Sequence, residues 1–174
     1  MNKILERYIS DLAGTLAATT SVGTRDLEPH HRPALKTLLE SMLPGINALN
    51  EPGKIEFGAP DFALIKGRFP ISYVETKRLG GNLDDIAKSE QLKRYFGYAN
   101  LILTNYLEFR FYKHGEAYCE PIVIADFNTL TPNENSYTLL ETTTHAFLDD
   151  AAEPVRRASR LAEIMGENGK RLRA

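Results

Sequence analysis

The sequence predicts an α/β protein whose central mixed sheet is flanked by helices, and three observations support this class. Apolar residues recur at helical spacing over residues 3–18 and again from Leu35 to Ile46, which indicates two amphipathic helices ahead of the strands. Short alternating and apolar runs separated by glycine and proline follow them. A strand, a helix and a continuous apolar strand then succeed each other, which is typical of a parallel pair. The predicted order is helix, helix, three strands, helix, strands, helix, helix.

The composition is that of one soluble domain. The 174 residues, 43% of them hydrophobic, can bury one core, so we expect a single domain over residues 1–174 with its core at about residues 25–130. No apolar run is long enough to cross a membrane, and charges interrupt the first residues, which indicates a cytoplasmic protein without a membrane partner. The single cysteine, Cys119, excludes a disulfide framework and a cysteine zinc site.

Three short segments after the first two helices have strand character, at residues 54–57, 61–65 and 71–77. The glycines and prolines between them favour turns. Side chains on a strand alternate between its two faces, so Glu75 and Lys77 in the third segment point the same way. These two charged side chains therefore share one side of the predicted sheet.

A helix and a buried strand are predicted next. Residues 83–98 have helical periodicity. The core-facing stripe of this helix comprises Leu92, Tyr95, Phe96 and Ala99. The apolar run at residues 101–103 then predicts a strand that is buried on both faces and parallel to the strand before the helix.

The last third of the chain predicts a hairpin and two helices. Residues 108–113 and 117–127 have strand character, and a hairpin turn at residues 114–116 joins them. Apolar spacing predicts two helices at about residues 136–166, leading towards a following domain. The tail from Gly166 is rich in glycine, lysine and arginine and is expected to fray.

Three polar residues of the predicted strands suggest a metal site. Asp61 opens one strand, while Glu75 and Lys77 lie near the end of the next. In an antiparallel hairpin the two carboxylates would meet at one rim of the sheet. Two neighbouring carboxylates repel each other unless a cation lies between them, and Mg²⁺ takes oxygen ligands of this kind, to which the Thr76 carbonyl could add another. Such an ion polarises a phosphate ester and generates hydroxide, with Lys77 placing or deprotonating the attacking water.

Each of these signals has an ordinary explanation when it stands alone. A Glu-X-Lys triplet is expected by chance in roughly every second chain of this length. Lys77 could be a solvated strand end, and Glu75 a surface charge that pairs with Lys77 or Arg78. Asp61 could be a turn residue after Pro60.

The order in which the polar residues occur makes the hypothesis more specific. Asp61 follows a proline at the start of a strand, and Glu-Thr-Lys at residues 75–77 closes the next strand. Gln91 and Tyr95 come afterwards, at positions i and i+4 of a helix. The apolar strand and the polar residues that follow it occupy residues 101–112. The conjunction of four features in one order is much rarer than any one of them.

Over about residues 25–115, the chain resembles the N-terminal nuclease domain of single-chain restriction-modification enzymes of the type ISP or type IIG kind. The most similar runs are residues 58–62, 73–77, 91–95 and 101–112. In these enzymes a PD-(D/E)XK nuclease is fused to an adenine-specific DNA methyltransferase, sometimes through a helicase. The resemblance implies a restriction-endonuclease-like core and Mg²⁺-dependent cleavage of DNA, with Mn²⁺ expected to substitute.

The resemblance also implies a role for each residue of the motif. Asp61 and Glu75 would be metal ligands, and Lys77 would be the catalytic lysine that positions or activates the attacking water. Gln91 and Tyr95 are similar to the Gln-X-X-X-Tyr motif of the family, which supports the site from the neighbouring helix and touches the DNA backbone. These five residues form the catalytic set that the resemblance implies.

One further acidic residue joins the implied metal-binding set. Glu28 is similar to the residue that the family places on its first core helix as an additional metal or water contact. Pro29 follows it directly, so Glu28 could instead lie outside that helix and interact with the helix dipole. The implied metal-binding set is therefore Asp61, Glu75, Thr76 and Glu28.

The expected partners follow from the same resemblance. They are double-stranded DNA, and methyltransferase and target-recognition domains in the same or a partner polypeptide. Dimerisation on DNA is expected because two-strand cleavage by a nuclease with one site usually needs two copies. The formal charge of −2 and the isoelectric point near 6.1 argue against a protein that holds DNA by its own electrostatics. We therefore expect most of the DNA affinity to come from other domains.

Two other hypotheses stay open from the sequence. The first is a catalytically inactive PD-(D/E)XK-fold module with a structural or DNA-contacting role, which the acidic isoelectric point favours. The second is an unrelated small α/β binding protein in which these charges lie on the surface. The second would be favoured by a structure in which the Asp61 and Glu75 carboxylates are too far apart for one ion.

Overall fold

The fold is built around one mixed sheet that carries helices. The computed structural model describes residues 2–23, 28–133, 135–150 and 157. Its helical elements are α1 (Lys3–Ser21), a 3-10 turn (Pro29–His31), α2 (Arg32–Met42), α3 (Leu83–Ala87), α4 (Glu90–Tyr95) and α5 (136–150). Its strands are β1 (Ile46–Asn50), β2 (Phe62–Lys66), β3 (Phe69–Thr76), β4 (Asn100–Thr104), β5 (Glu108–Lys113), β6 (Glu116–Ala117) and β7 (Ile122–Val123).

The strand order of the sheet is β1-β2-β3-β4-β5-β6, with β7 also paired to β5. Strands β1, β2 and β3 are antiparallel neighbours, and β5 is antiparallel to β4, β6 and β7. Strands β3 and β4 are parallel, as the apolar run at 101–103 predicted. Helices α3 and α4 lie in the connection between these two strands. This connection carries α4 to the end of β3, where the polar residues are.

The sheet separates two apolar clusters. The larger cluster joins α1, α2 and α5 to one face and includes Leu12, Leu35, Val74, Ile102, Phe111 and Phe147. The smaller cluster lies under α3 and α4 and includes Leu83, Leu92, Tyr95, Leu101 and Leu103. Glu75 pairs in register with Leu103 and follows Val74, so Glu75 lies on the face that α4 covers.

Helix α1 covers the predicted helix 3–18 and continues to Ser21. The Asn2 side chain caps its first turn by accepting a hydrogen bond from the Ile4 N–H at 2.9 Å. The buried stripe of the helix comprises Leu5, Tyr8, Ile9 and Leu12. Among the helices that the structure describes, none is long and apolar enough to span a bilayer.

Two predictions for the first strands are wrong. The predicted second helix was extended to Ile46, but α2 ends at Met42 and Ile46 begins β1. The helix ends because Leu43, which precedes Pro44, leaves the helical region with φ −122° and ψ 73°. The predicted strand 54–57 is a tight turn, in which Ile55 and Gly58 exchange hydrogen bonds of 2.8 and 3.1 Å. Three strands still precede α3, but β1 is one that the sequence reasoning did not identify.

The predicted helix 83–98 is also wrong as a single element. It is divided into α3 and α4, and the Ser89 side chain caps α4 by accepting from the Leu92 N–H at 3.2 Å. Ala99, expected in the core, is exposed, while Tyr98 is buried in its place. The break turns α4 into a short, separately capped helix.

The hairpin predicted at residues 114–116 is confirmed. Strands β5 and β6 pair through Lys113 and Glu116, and the two turn residues, His114 and Gly115, have φ values of 50° and 82°, which fit a two-residue hairpin turn. The long strand predicted at residues 117–127 is wrong, because only β6 and β7 are extended and Pro121 lies between them.

The C-terminal part of the described chain is helical over residues 136–150. Tyr137, Leu140 and Phe147 of this helix are buried in the larger cluster. The second helix expected towards residue 166 and the tail from Gly166 lie outside the described residues, except for Arg157, which is helical.

Candidate functional site

The antiparallel β2–β3 pair brings Asp61 to the end of β3. Phe62, the first residue of β2, pairs with Val74, so Asp61 lies one step further along, beside the last two residues of β3. Its Oδ2 atom accepts hydrogen bonds from the Thr76 N–H and the Thr76 hydroxyl, both at 2.7 Å. These two bonds fix the Asp61 carboxylate against the rim of the sheet, next to Glu75.

Four of the side chains predicted for the site form one hydrogen-bonded network. The Lys77 ammonium donates to Glu75 Oε1 at 2.7 Å and to Gln91 Oε1 at 3.2 Å. The Gln91 amide in turn donates to Glu75 Oε1 at 3.0 Å and to the Tyr95 hydroxyl at 3.4 Å. Helix α4 presents Gln91 and Tyr95 together because they are four residues apart.

Helix α4 and the turn that follows it also hold the loop that leads to Asp61. The Tyr95 hydroxyl donates to the Ala59 carbonyl at 2.9 Å, and the Tyr98 hydroxyl donates to the Gly58 carbonyl at 3.3 Å. Gly58 has a φ of 143°, and a Cβ atom there would lie 2.4 Å from a ring carbon of Tyr95. This close approach requires glycine, and it fixes the path of the chain three residues before Asp61.

Glu75 has an electrostatically unfavourable position for a carboxylate. The residue is 3% exposed, and its Oε2 atom is buried without a hydrogen-bond partner among the described residues. Burial, followed by repulsion from Asp61, raises the pKa of Glu75 to about 7, although Lys77 opposes the rise. Glu28 also contributes to the raised pKa. The ionised form of Glu75 therefore lacks sufficient positive charge around it.

Arg32 is a site residue that the sequence reasoning missed. One end of its guanidinium, Nη2, is in direct contact with Asp61 Oδ1, and the other, Nη1, donates to Glu51 Oε1 at 2.9 Å. Nη2 also lies 3.8 Å from Glu28 Oε1. The signal available in the sequence was the spacing of four residues between Glu28 and Arg32, which is typical of a helical ion pair.

Glu28 lies outside the first core helix, at the start of the 3-10 turn that precedes α2. Its carbonyl accepts a hydrogen bond of 2.6 Å from the Tyr106 hydroxyl, which joins this turn to the segment after β4. Its carboxylate is close enough to Arg32 to pair with it and close enough to Glu75 to raise the Glu75 pKa. Glu28 therefore belongs to the electrostatic surroundings of the site.

The residues of this network suit a hard divalent cation. The carboxylates of Glu28, Glu51, Asp61 and Glu75 outnumber the cations Arg32 and Lys77 by two. The unpartnered Oε2 atom is an oxygen ligand of the kind that Mg²⁺ prefers. Within the described residues, no three His, Cys, Asp or Glu side chains are grouped so that they could hold a metal. An ion here would therefore take two carboxylates and complete its coordination with a carbonyl, water or phosphate oxygen.

Comparisons with known proteins identify a shared fold. No protein-family model matches the chain, and no curated protein matches it. A chain from the cryo-EM structure of the DrdV–DNA complex is similar to it, with a TM-score of 0.60 and 18% sequence identity. The match covers 80% of this chain and 94% of that chain. The predicted α/β class, with a central mixed sheet flanked by helices, is confirmed, and the chain shares this architecture with a protein whose structure was solved in complex with DNA.

Proposed function

We propose that this chain is a Mg²⁺-dependent DNA endonuclease domain that hydrolyses phosphodiester bonds, with a restriction-endonuclease-like core. The observation that carries the proposal is Glu75, a buried carboxyl with one unpartnered oxygen, which lies beside Asp61 and is hydrogen-bonded to Lys77. Buried carboxylates in such a pair are costly unless a cation compensates them. The structural likeness to a chain of a DNA complex supports DNA as the substrate.

Asp61 and Glu75 would hold the ion, with the Thr76 carbonyl as a further ligand and Glu28 in contact through water. Mg²⁺, or Mn²⁺ in its place, supplies Lewis-acid stabilisation of the negative charge that develops on the phosphate. Asp61 is kept in position for this role by its two hydrogen bonds from Thr76. Glu75 offers the oxygen that has no hydrogen bond.

Lys77 would position or activate the attacking water. An ammonium group has three N–H donors, and Glu75 and Gln91 accept two of those of Lys77. The third donor is left for a water or a phosphate oxygen. Gln91 is the positioning residue for Lys77, because its amide accepts from the ammonium while donating to Glu75. Tyr95 positions Asp61 indirectly through the Ala59 carbonyl.

The proposal includes a restriction-modification setting. The net charge of −2 does not favour tight binding to DNA by this chain alone. Methyltransferase and target-recognition domains, in the same or a partner polypeptide, would supply the affinity and the sequence specificity. Cleavage of both strands would then require two copies of the domain on the DNA.

A structural or DNA-contacting role without catalysis is the second candidate, and one observation favours it. Both carboxylates already have a cationic partner, because Arg32 contacts Asp61 and Lys77 contacts Glu75. Side chains paired in this way compensate each other's buried charge without a metal. The two candidates differ in whether the protein cleaves DNA.

Nicking of supercoiled plasmid in Mg²⁺ or Mn²⁺ tests the proposed function. The wild type should nick, and Lys77→Met should reduce the rate by at least about a hundredfold, since proton transfer or water positioning by one side chain is worth about that much. Lys93→Met is the matched control, because Lys93 is an exposed lysine of α4 that pairs with Glu90. Equal rates for the wild type and Lys77→Met would refute the assigned role. Ion binding without nicking would mean a competent site that needs a DNA-recognition domain, and absence of ion binding would support the inactive module.

A further inference from the structure

The two oxygens of Asp61 have different surroundings. Oδ2 accepts two hydrogen bonds from Thr76, so both of its lone-pair directions are used. Oδ1 is contacted by Arg32 Nη2. An incoming cation that uses Asp61 must therefore approach Oδ1, where the guanidinium already lies. A monovalent and a divalent cation repel each other strongly when they share one oxygen ligand.

Arg32 has other partners that could retain it if it left Asp61. Nη1 donates to Glu51, whose side chain is 70% exposed, and Glu28 lies 3.8 Å from Nη2. The guanidinium would therefore stay paired, which matters because its side chain is only 14% exposed. A move away from Asp61 would not leave an isolated buried charge.

The structure also provides space beside the guanidinium. A cleft of about 230 Å³ lies next to Arg32 and Glu51. Its other lining residues are Pro29, Pro33, Lys36, Asn50 and Phe62. The Nε atom of Arg32 is buried without a hydrogen-bond partner among the described residues, so no bond at that atom holds the side chain in its present position. A rotation towards the cleft would keep the bond to Glu51 and release Oδ1.

We propose that Arg32 is a positioning residue that holds Asp61 before a divalent cation arrives and is displaced from Oδ1 when the cation binds. This inference rests on the proposed function, because it assumes that Asp61 is a metal ligand. Arg32 lowers the affinity of the site for the ion, since each ion that binds must separate the guanidinium from Asp61. Arg32 also keeps Asp61 ordered in the metal-free protein.

Calorimetric titration of Mn²⁺ into the purified chain tests this competition. Arg32→Gln removes the competing charge and should bind Mn²⁺ about tenfold more tightly than the wild type at low ionic strength. Arg110→Gln is the matched control, because Arg110 is 16% exposed and also pairs with two carboxylates, Glu108 and Asp84. This control should bind Mn²⁺ as the wild type does. Unchanged or weaker binding by a folded Arg32→Gln protein would overturn the inference.

Arg32→Lys is the second variant, in case Arg32→Gln does not fold. A lysine keeps the charge but lacks the fork that bridges Glu51 and Asp61, so its hold on Oδ1 should be weaker. Mn²⁺ binding should then be about threefold tighter than in the wild type. A purely structural role for Arg32 would lower the melting temperature of the variant without tightening ion binding, and that result would also overturn the inference.

Asp61→Asn separates the failure of this inference from the failure of the proposed function. If the wild type binds no Mn²⁺, or if Asp61→Asn binds it equally well, then Asp61 is not a metal ligand and both proposals fail. If Asp61→Asn loses binding while Arg32→Gln binds as the wild type does, only the role assigned to Arg32 fails.

Discussion

Glu75→Gln should change how the stability of the metal-free protein depends on pH. Glu75 is buried beside Asp61, and its pKa in the folded protein is raised to about 7 from an ordinary value of 4.5. Glutamine has nearly the same shape and can still accept hydrogen bonds from Lys77 and Gln91 at the position of Oε1. The substitution therefore removes the titration while keeping most of the packing.

The direction in which stability changes with pH follows from proton binding at Glu75. Between about pH 4.5 and pH 7 the folded protein keeps a proton on Glu75 that the unfolded chain has released. The resulting contribution to stability is fully present below about pH 4.5 and is lost as the pH rises through about 7. Each unit between the two pKa values corresponds to about 1.4 kcal/mol, so the wild type should lose about 3 kcal/mol relative to Glu75→Gln over this range.

Urea unfolding in EDTA at pH values from 4.5 to 8 measures this difference. The free energy of unfolding of the wild type minus that of Glu75→Gln should fall by about 3 kcal/mol as the pH rises. His31 titrates in both proteins, so its contribution cancels. Glu56→Gln, at an exposed position, is the control and should show no such fall. A difference that stays constant with pH would refute the electrostatic account of Glu75.

Two further substitutions test the positioning of the site from α4. Gly58→Ala should destabilise the protein by about 2 kcal/mol because of its positive φ and the ring carbon 2.4 Å from the new Cβ atom. Gly53→Ala, with a φ of 89° but no atom within 4 Å, should cost less in the same urea assay, and equal losses would contradict the assigned contact. Gln91→Ala should lower plasmid nicking about tenfold while leaving Mn²⁺ affinity within about twofold, because Gln91 orients Lys77 and binds no metal. A large loss of Mn²⁺ affinity would instead assign Gln91 to the metal site.

Short-range geometry explains which parts of the site could be predicted from the sequence. Asp61 and Glu75 are joined by one antiparallel hairpin, so pairing of the two strands is sufficient to bring them to the same rim. Gln91 and Tyr95 share a helix face because of their spacing, even though the predicted helix was too long. Both placements depend on regular backbone geometry and not on how the elements pack.

Arg32 could not be placed by such arguments. It lies 29 residues before Asp61, and their contact depends on how the start of α2 packs beside the end of β1 and the start of β2. The sequence reasoning extended α2 through Ile46 and so did not include β1, the strand that leads to Glu51, the second partner of Arg32. The apolar stripe continues past the end of α2, although Pro44 was a local signal for that end, because the residue before a proline rarely stays helical.

The break between α3 and α4 was missed for a related reason. Leu83, Leu92 and Tyr95 have helical spacing and all belong to the same apolar cluster, so periodicity alone does not separate two short helices from one long helix. Ser89 was the local signal for a new helix start, since its hydroxyl caps α4.

The central claim is that Asp61 and Glu75 form one site for a divalent cation. Calorimetric titration of Mn²⁺ into the wild type and into Asp61→Asn at pH 8, where Glu75 is mostly ionised, tests it most directly. The account predicts one ion per chain for the wild type and loss of that binding in a folded Asp61→Asn protein. Absence of binding to the wild type, or equal binding to both proteins, would contradict it.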